Sequence, residues 1–205
     1  MGVITIRLHD YPLSGNCYKV RLLLAQLGIP YERIEWDTRA GETRTPEFLS
    51  INPAGKVPVL ETEDGKLLPE SDAILFYLAE GTPFLPEDRF ERAQVLRWMS
   101  FEQSVHQPSF AIARFLVQAL EMNDERRKML GQKQKAGYAA LETMEGHLED
   151  GGFFVGGRYT VADIALYAYT HVAHEGGFDL RPFPAVRAWL ERVASRPAYV
   201  PMTEG

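Results

Sequence analysis

The sequence has 205 residues, 45% of them hydrophobic and 24% charged, which is typical of a folded globular protein and excludes extensive disorder. This length exceeds that of an average domain and suits two small domains. The formal net charge of −6 disfavours binding to nucleic acid or to an anionic membrane surface. The opening residues, MGVITIRLHD, show neither a signal peptide nor a membrane span. One cysteine cannot form an internal disulfide, so we expect a cytoplasmic protein.

The first part of the chain changes between strand and helix periodicity. Residues Val3–His9 alternate between apolar and polar side chains, which predicts a strand. Apolar residues then recur at helical spacing from Cys17, and Gly28 ends that helix. Tyr31–Trp36 is predicted to form a second strand, parallel to the first, and a short helical segment follows near Pro46.

A hairpin is predicted between the segments VPVLETE and KLL, because Asp64 and Gly65 form a turn signal between them. Pro58 stands at the entry to the first of these strands and has no N–H to donate to a neighbouring strand. Such a proline indicates a special turn, and a cis peptide bond is one way to form it. A further helix is predicted from Ser71, ended by Gly81.

The rest of the chain is predicted to be helical. The segment GTPFLPED, residues 81–88, contains two prolines and a glycine and is predicted to be a linker. Further on, Thr160 and Asp163 have the spacing of a capping box at the start of a helix. The prediction is therefore an α/β domain over residues 1–80 and an all-α domain over residues 89–205.

Ser14 is the first candidate for chemistry, in the segment SGNC between the first strand and the first helix. Its ordinary role there is that of an N-cap. The same position faces the positive end of a helix, where a thiolate would be stabilised and a hydroxyl could donate to it. Cys17 is in register with the apolar stripe of the helix, so we expect it to be buried and inert.

A second candidate lies at the start of the helix that follows the hairpin. Ser71 or Asp72 can act as its N-cap, but Ser71 and nearby amides can also bind a carboxylate while Glu70 accepts from an ammonium. Together with the first helix start, this arrangement suits a zwitterionic ligand that carries a thiol. His171 and His174 lack further ligands at useful spacing, so we expect no metal site.

Three segments, NPAGKVPVLE, PESDAILFYLAE and FFVGGRYTVADIALYAY, resemble those of the cytosolic glutathione transferases, in the same order and over nearly the full chain. The resemblance implies a thioredoxin-like N-terminal domain and an all-α helical-bundle C-terminal domain. It implies glutathione as co-substrate, with Ser14 and Asn16 as catalytic residues similar to those of bacterial serine-type members of the nu and theta-like groups. The residues it implies for glutathione binding are Lys56, Val57, Pro58, Glu70 and Ser71.

By the same resemblance, Pro58 would be a cis proline, Val57 would pair its backbone with the cysteinyl part, and Lys56 would approach the glycyl carboxylate. A pocket for a small electrophile would be lined by Tyr11, Leu13, His106, Phe110 and Arg114. His106 also has an ordinary interpretation as a residue on a helix surface. A homodimer is implied as well, with Glu102 or Gln103 near the partner's glutathione site.

The expected activity is attack of the glutathione thiolate on a hydrophobic electrophile. Two alternatives remain open: glutathione-dependent reduction of disulfides or peroxides, and a catalytically silent binding protein with the same fold. Omega-type members have a cysteine where this chain has Ser14, which argues against a mixed-disulfide mechanism through an enzyme thiol.

Overall fold

The computed structural model describes residues 6–118 and 121–203, and the chain divides into two compact units. The first unit contains the described residues up to Glu80 together with the segment that starts at Pro197. The second unit is Gly81–Arg196. The expected linker, residues 81–88, is therefore part of the second unit, where the Phe84 carbonyl accepts a hydrogen bond of 3.0 Å from the Val161 amide.

The first unit is a mixed four-stranded sheet with the strand order β2-β1-β3-β4. Strands β1 and β2 are parallel, and the other two pairs are antiparallel. The predicted strands and helices are confirmed, except that residues 3–5 of the first predicted strand lie outside the described residues. The elements are β1 (Ile6–Asp10), α1 (Gly15–Leu27), β2 (Tyr31–Glu35), α2 (Pro46–Ile51), β3 (Val59–Glu61), β4 (Leu67–Pro69) and α3 (Ser71–Ala79), with a 3₁₀ turn at Glu42–Arg44.

Helix α1 begins and ends where the sequence predicts. Ser14 is its N-cap, and Gly28 is its C-cap in the left-handed conformation with a φ of 66°, which glycine adopts at little cost. The helix is buried on several sides, and its side chains Val20 and Leu24 pack with Leu8 of the sheet in one apolar core. This packing fixes the position of the helix start relative to the end of β1.

The C-terminal segment differs from the expectation that residues 89–205 form one helical domain. Residues 197–203 pack with the first unit. The Tyr18 hydroxyl donates to the Val200 carbonyl at 2.8 Å, and Arg21 Nη2 donates to the Met202 carbonyl at 2.8 Å. Helical periodicity ends before this segment, so the sequence pattern carried no information about which unit it would join.

The second unit is helical, as predicted. Its elements are α4 (Arg89–Phe101), a π-helical turn (Glu102–His106), α5 (Gln107–Val117), α6 (Asp124–Leu148), α7 (Val161–Thr170), a 3₁₀ turn (Ala173–Gly176) and α8 (Pro184–Ala194). The capping box at the start of α7 is confirmed, since Thr160 and Asp163 form both of its reciprocal hydrogen bonds. Within the ranges 6–118 and 121–203, no helix is long and apolar enough to cross a bilayer.

Candidate functional site

The sheet register brings three loops of the first unit to the same end of the sheet. His9, near the end of β1, pairs with Val59 at the start of β3, and Val59 also pairs with Pro69 at the end of β4. The loop before α1, the turn before β3 and the start of α3 therefore leave the sheet side by side. These are the three places where the sequence predicts ligand-binding residues.

Ser14 occupies the centre of the first loop. Its Oγ accepts a hydrogen bond of 3.3 Å from the Cys17 amide, and its own amide donates to the Tyr11 carbonyl at 2.9 Å. Because the hydroxyl oxygen acts as acceptor in the cap, its proton stays available for donation to a ligand. The first turn of α1 contains no acidic residue, so the helix end keeps its preference for an anion.

The next two candidates in this segment differ in their surroundings. Cys17 is completely buried, and burial, together with the nearby Asp10 carboxylate, raises the pKa of its thiol, so the prediction of an inert core thiol agrees with its surroundings. Asn16 is half-buried, and its Oδ1 is a buried atom with no hydrogen-bond partner among the described residues. A buried amide oxygen ordinarily has a donor, so this atom is suited to accept from a ligand's N–H group.

The turn before β3 contains Lys56, Val57 and Pro58. The Val57–Pro58 peptide bond is cis, as expected. Lys56 is exposed, and its carbonyl accepts a hydrogen bond of 2.7 Å from Asn52 Nδ2, which holds the backbone of the turn. Val57 is half-buried at the end of this turn, so its backbone groups lie beside the start of β3.

The start of α3 departs from the expected cap. The N-cap is Glu70, with no side-chain capping bond, and Ser71 is the first helical residue. The expectation that Ser71 or Asp72 is the N-cap is wrong, because the chain turns into the helix one residue earlier. Glu70 is exposed and has a φ of 71°, a conformation that strains a residue other than glycine. Such strain is often found at functional sites.

A buried lysine that sequence reasoning missed contacts this helix start. Lys19 of α1 is 0% exposed, and its Nζ lies 3.3 Å from Ser71 Oγ and 3.0 Å from Asp72 Oδ1. The signal was present in the sequence, since a lysine inside the largely apolar run CYKVRLLLAQL needs a buried partner. Only the packing of α1 on α3 shows which partner it has.

The residues assigned to the second pocket lie in both units. In the first unit, Tyr11 is half-buried and Leu13 is 39% exposed, next to Ser14. In the second unit, Arg114 Nε is paired with Glu175 Oε2 at 2.6 Å. Their role in binding an electrophile stays a prediction.

His106 and Phe110 lie in the interior of the second unit. His106 is 0% exposed, its Nε2 lies 2.8 Å from Thr170 Oγ1, and its ring stacks on Phe110 with centroids 4.3 Å apart. The interpretation of His106 as a residue on a helix surface is therefore wrong, because the π-helical turn directs it into the core. Glu102 is also 0% exposed, whereas Gln103 is half-buried.

The two histidines considered for a metal have other environments. His171 Nδ1 lies 2.9 Å from the Tyr167 carbonyl, and burial lowers the pKa of His171 to about 4. His174 lies in the 3₁₀ turn that follows α7. In the described part of the chain, no group of three or more histidine, cysteine, aspartate or glutamate residues could hold a metal ion.

Comparison with known proteins gives the same family for both parts of the chain. The model of the glutathione S-transferase N-terminal domain matches residues 13–80, and that of the C-terminal domain matches residues 108–197. A glutathione S-transferase structure from Pseudomonas fluorescens is 49% identical, covers 97% of this chain and 99% of its own, and has a TM-score of 0.94.

Three further matches have different names. A maleylacetoacetate isomerase from Rhizobium meliloti is 35% identical over 94% of this chain and 92% of its own length. Ure2p, solved in complex with glutathione, is 25% identical with a TM-score of 0.85, over 97% of this chain and 92% of its own. The Saccharomyces cerevisiae relative described as transcriptional regulator URE2 is 29% identical over 98% of this chain and 71% of its own.

A four-stranded mixed sheet with helices, followed by a helical unit, agrees with the two domains that these family models match. The chain belongs to the glutathione S-transferase family.

Proposed function

We propose that this protein is a glutathione transferase that activates the thiol of glutathione for attack on small hydrophobic electrophiles. The observation that carries the proposal is the register that pairs His9 with Val59 and Val59 with Pro69. This register brings three features to one end of the sheet. They are the start of α1, where the Ser14 hydroxyl proton is available for donation, the turn before β3, and the start of α3, where Glu70 is strained. The relative Ure2p, solved in complex with glutathione, supports glutathione as the ligand of this site.

In the proposed complex, Ser14 donates its hydroxyl proton to the sulfur of glutathione. The N-terminus of α1 adds its positive end, and the side-chain NH2 group of Asn16 donates a second hydrogen bond to the sulfur. A free thiol has a pKa of about 8.5 and is only a few per cent ionised at neutral pH. Stabilising the thiolate therefore raises the fraction of bound glutathione that is ready to react.

The rest of glutathione has a partner for each charged or polar group. Val57 pairs its backbone with the cysteinyl residue beside Pro58, and the exposed Lys56 ammonium binds the glycyl carboxylate. Ser71 and the amides at the start of α3 bind the carboxylate of the γ-glutamyl residue, while the carboxylate of Glu70 accepts from its ammonium. Tyr11 and Leu13 lie next to Ser14, where an electrophile has to approach the sulfur.

The test is Ser14→Ala, with Ser14→Thr as a control that keeps the hydroxyl. One hydrogen bond to a charged group contributes about 1.5 to 3 kcal/mol, and one pKa unit corresponds to about 1.36 kcal/mol. We therefore expect Ser14→Ala to raise the pKa of bound glutathione by about one to two units and to lower kcat/KM at pH 7 by about ten- to a hundredfold. An ultraviolet titration of the thiolate and steady-state kinetics measure both quantities.

Ser14→Thr should keep most of the activity if the hydroxyl is what matters. If Ser14→Ala leaves the ionisation of bound glutathione and the turnover unchanged, Ser14 has no catalytic role. The buried Cys17 cannot replace it, because its raised pKa keeps the thiol protonated.

Other activities on the same site are distinguished by a substrate panel. Chlorodinitrobenzene reports conjugation, whereas a glutathione mixed disulfide and cumene hydroperoxide report reduction by the same thiolate. The isomerase relative gives a reason to include maleylacetoacetate. The relative described as a transcriptional regulator is a reason to keep a silent binding protein as the remaining alternative. Binding of glutathione in calorimetry without turnover of any substrate in the panel would identify it.

We further propose a homodimer. The resemblance to the glutathione transferases supports it, and the exposed aromatic side chains of Phe90, at 70%, and Tyr77, at 55%, are of the kind enriched at interfaces. Gln103 keeps some exposed surface and is the better candidate for a contact near the partner's glutathione, since Glu102 is buried in its own chain. A mass of one 23.2 kDa chain in light scattering would rule the dimer out.

A further inference from the structure

The buried ammonium of Lys19 has no role in the function proposed above, although it contacts the γ-glutamyl end of the site. Burial of a lysine ammonium is costly unless it is paired and hydrogen-bonded, and Lys19 is 0% exposed. Its Nζ reaches Asp72 Oδ1 at 3.0 Å and Ser71 Oγ at 3.3 Å. All three residues lie in the first unit, on the packed helices α1 and α3.

The chemistry of this contact fixes the direction of one hydrogen bond. An ammonium can only donate, so Ser71 Oγ is the acceptor in its contact with Lys19. The Ser71 proton cannot then point at Lys19 and is left to be donated elsewhere. Ser71 itself is 3% exposed and is the first residue of α3, where the backbone amides also favour an anion.

We propose that Lys19 is a positioning residue that makes Ser71 a hydrogen-bond donor and so selects the carboxylate of the γ-glutamyl residue of glutathione. Lys19 does not touch the ligand. It holds Ser71 Oγ as acceptor, which directs the hydroxyl proton toward the ligand, and its charge favours an anion at the start of α3. This inference rests on the proposed binding of glutathione at this site.

Asp72 provides the matched control, because it pairs with the Lys19 ammonium but has no proposed contact with glutathione. Its Oδ1 pairs with Lys19, and its side chain is 15% exposed. Removing its charge weakens the buried pair, and therefore the fold, but leaves Lys19 donating to Ser71. If Lys19 had a purely structural role, Lys19→Met and Asp72→Asn would have similar effects on ligand affinity.

The experiment measures dissociation constants by calorimetry for glutathione and for γ-aminobutyryl-cysteinyl-glycine, which lacks only the γ-glutamyl α-carboxylate. The wild-type protein should bind glutathione at least about tenfold more tightly than the analogue, as a charged hydrogen bond predicts. In Lys19→Met this preference should fall severalfold, and in Lys19→Arg part of it should remain. Asp72→Asn should lower the melting temperature while keeping the preference within about twofold.

A double-mutant cycle with Ser71→Ala tests whether Lys19 acts through Ser71. If it does, Lys19→Met adds little to the loss already caused by Ser71→Ala, because both changes remove the same hydrogen bond. Equal weakening of both peptides by Lys19→Met, or an unchanged preference, overturns the inference while glutathione binding itself stands. If the wild-type protein binds no glutathione, the proposed function and this inference are both overturned.

Discussion

Two side chains of one short segment have opposite environments, although both are candidates for sulfur chemistry. In SGNC, Ser14 caps α1 with its oxygen and keeps its proton, whereas Cys17 points into the core. The difference comes from helix register, since a residue three positions after the cap lies on the buried face of the first turn. The hydroxyl is therefore the group suited to meet a ligand's thiol.

The buried position of Cys17 predicts low reactivity. Because burial and the Asp10 carboxylate raise the pKa of this thiol, the fraction of thiolate in the folded protein stays small even at pH 9. We expect Ellman's reagent to label the one cysteine of the chain slowly in the native protein and rapidly in urea. Cys17→Ala should keep glutathione-dependent activity.

The same thiol links stability to pH in a defined direction. Above about pH 8.5 the unfolded chain loses the thiol proton while the folded chain retains it, so the unfolded state binds fewer protons and stability falls as pH rises. The contribution of Cys17 is fully present below that pH. Urea unfolding at pH 7 and pH 9.5 should show a larger loss for the wild-type protein than for Cys17→Ala. Equal losses in the two proteins, or fast labelling of the native thiol, would contradict its burial.

At the scale of elements, the start of α7 depends on one buried carboxylate. Asp163 is 0% exposed and accepts hydrogen bonds from the Thr160 amide at 2.9 Å, the Phe154 amide at 3.1 Å and Trp189 Nε1 at 3.0 Å. These donors tie together the helix start, the preceding loop and α8. The Asp163 carboxylate therefore stabilises the packing of these segments as well as the start of its own helix.

Asp163→Ala is therefore expected to destabilise the second unit by about 3 to 5 kcal/mol, since three buried donors lose their acceptor. Asp88 is the matched control: it caps α4 by accepting from the Phe90 and Glu91 amides, each at 2.9 Å, but it is exposed. Asp88→Ala should cost only about 1 kcal/mol, because water can satisfy those amides. Urea unfolding followed by circular dichroism measures the loss of unfolding free energy in each variant. Equal losses in the two variants would contradict a tertiary role for Asp163.

At the scale of the whole molecule, the chain returns to its first unit after the helical unit ends. Arg21 is 1% exposed and donates to both oxygens of the buried Asp10, to the Pro12 carbonyl and to the Met202 carbonyl. Since Pro12 lies in the loop that leads to Ser14, the C-terminal segment is joined through one guanidinium to the loop of the proposed active site.

A chain ending at Tyr199 should therefore lose stability in the first unit. It removes the Met202 carbonyl, which is one of the acceptors of Arg21, and the Val200 carbonyl that accepts from Tyr18. Leaving a buried donor without its acceptor costs about 1 to 3 kcal/mol. We expect faster hydrogen exchange in α1 amides, and weaker glutathione binding if the loop before Ser14 loosens. A chain ending at Met202 keeps both acceptor residues and is the control. Unchanged exchange in the shorter chain would show that this segment does not support α1.

The sequence by itself determined the local structure of this protein. Period-two and helical patterns predicted the strands and helices, Gly28 and Asp64–Gly65 marked the ends and turns, and Pro58 indicated a special turn, which the structure forms with a cis bond. The capping box was readable because its two residues lie three apart in the chain. All of these signals depend on neighbours within a few residues, which is why pattern alone could predict them.

Only the tertiary structure decided which distant residues meet. Lys19 meets Ser71 across 52 positions, His106 turns inward to Thr170 across 64, and Arg21 reaches Met202 across 181. Each contact satisfies a buried polar group, and its partner is set by how helices and loops pack rather than by local spacing. The sequence showed that such groups would need partners, but the identity of each partner follows from the fold.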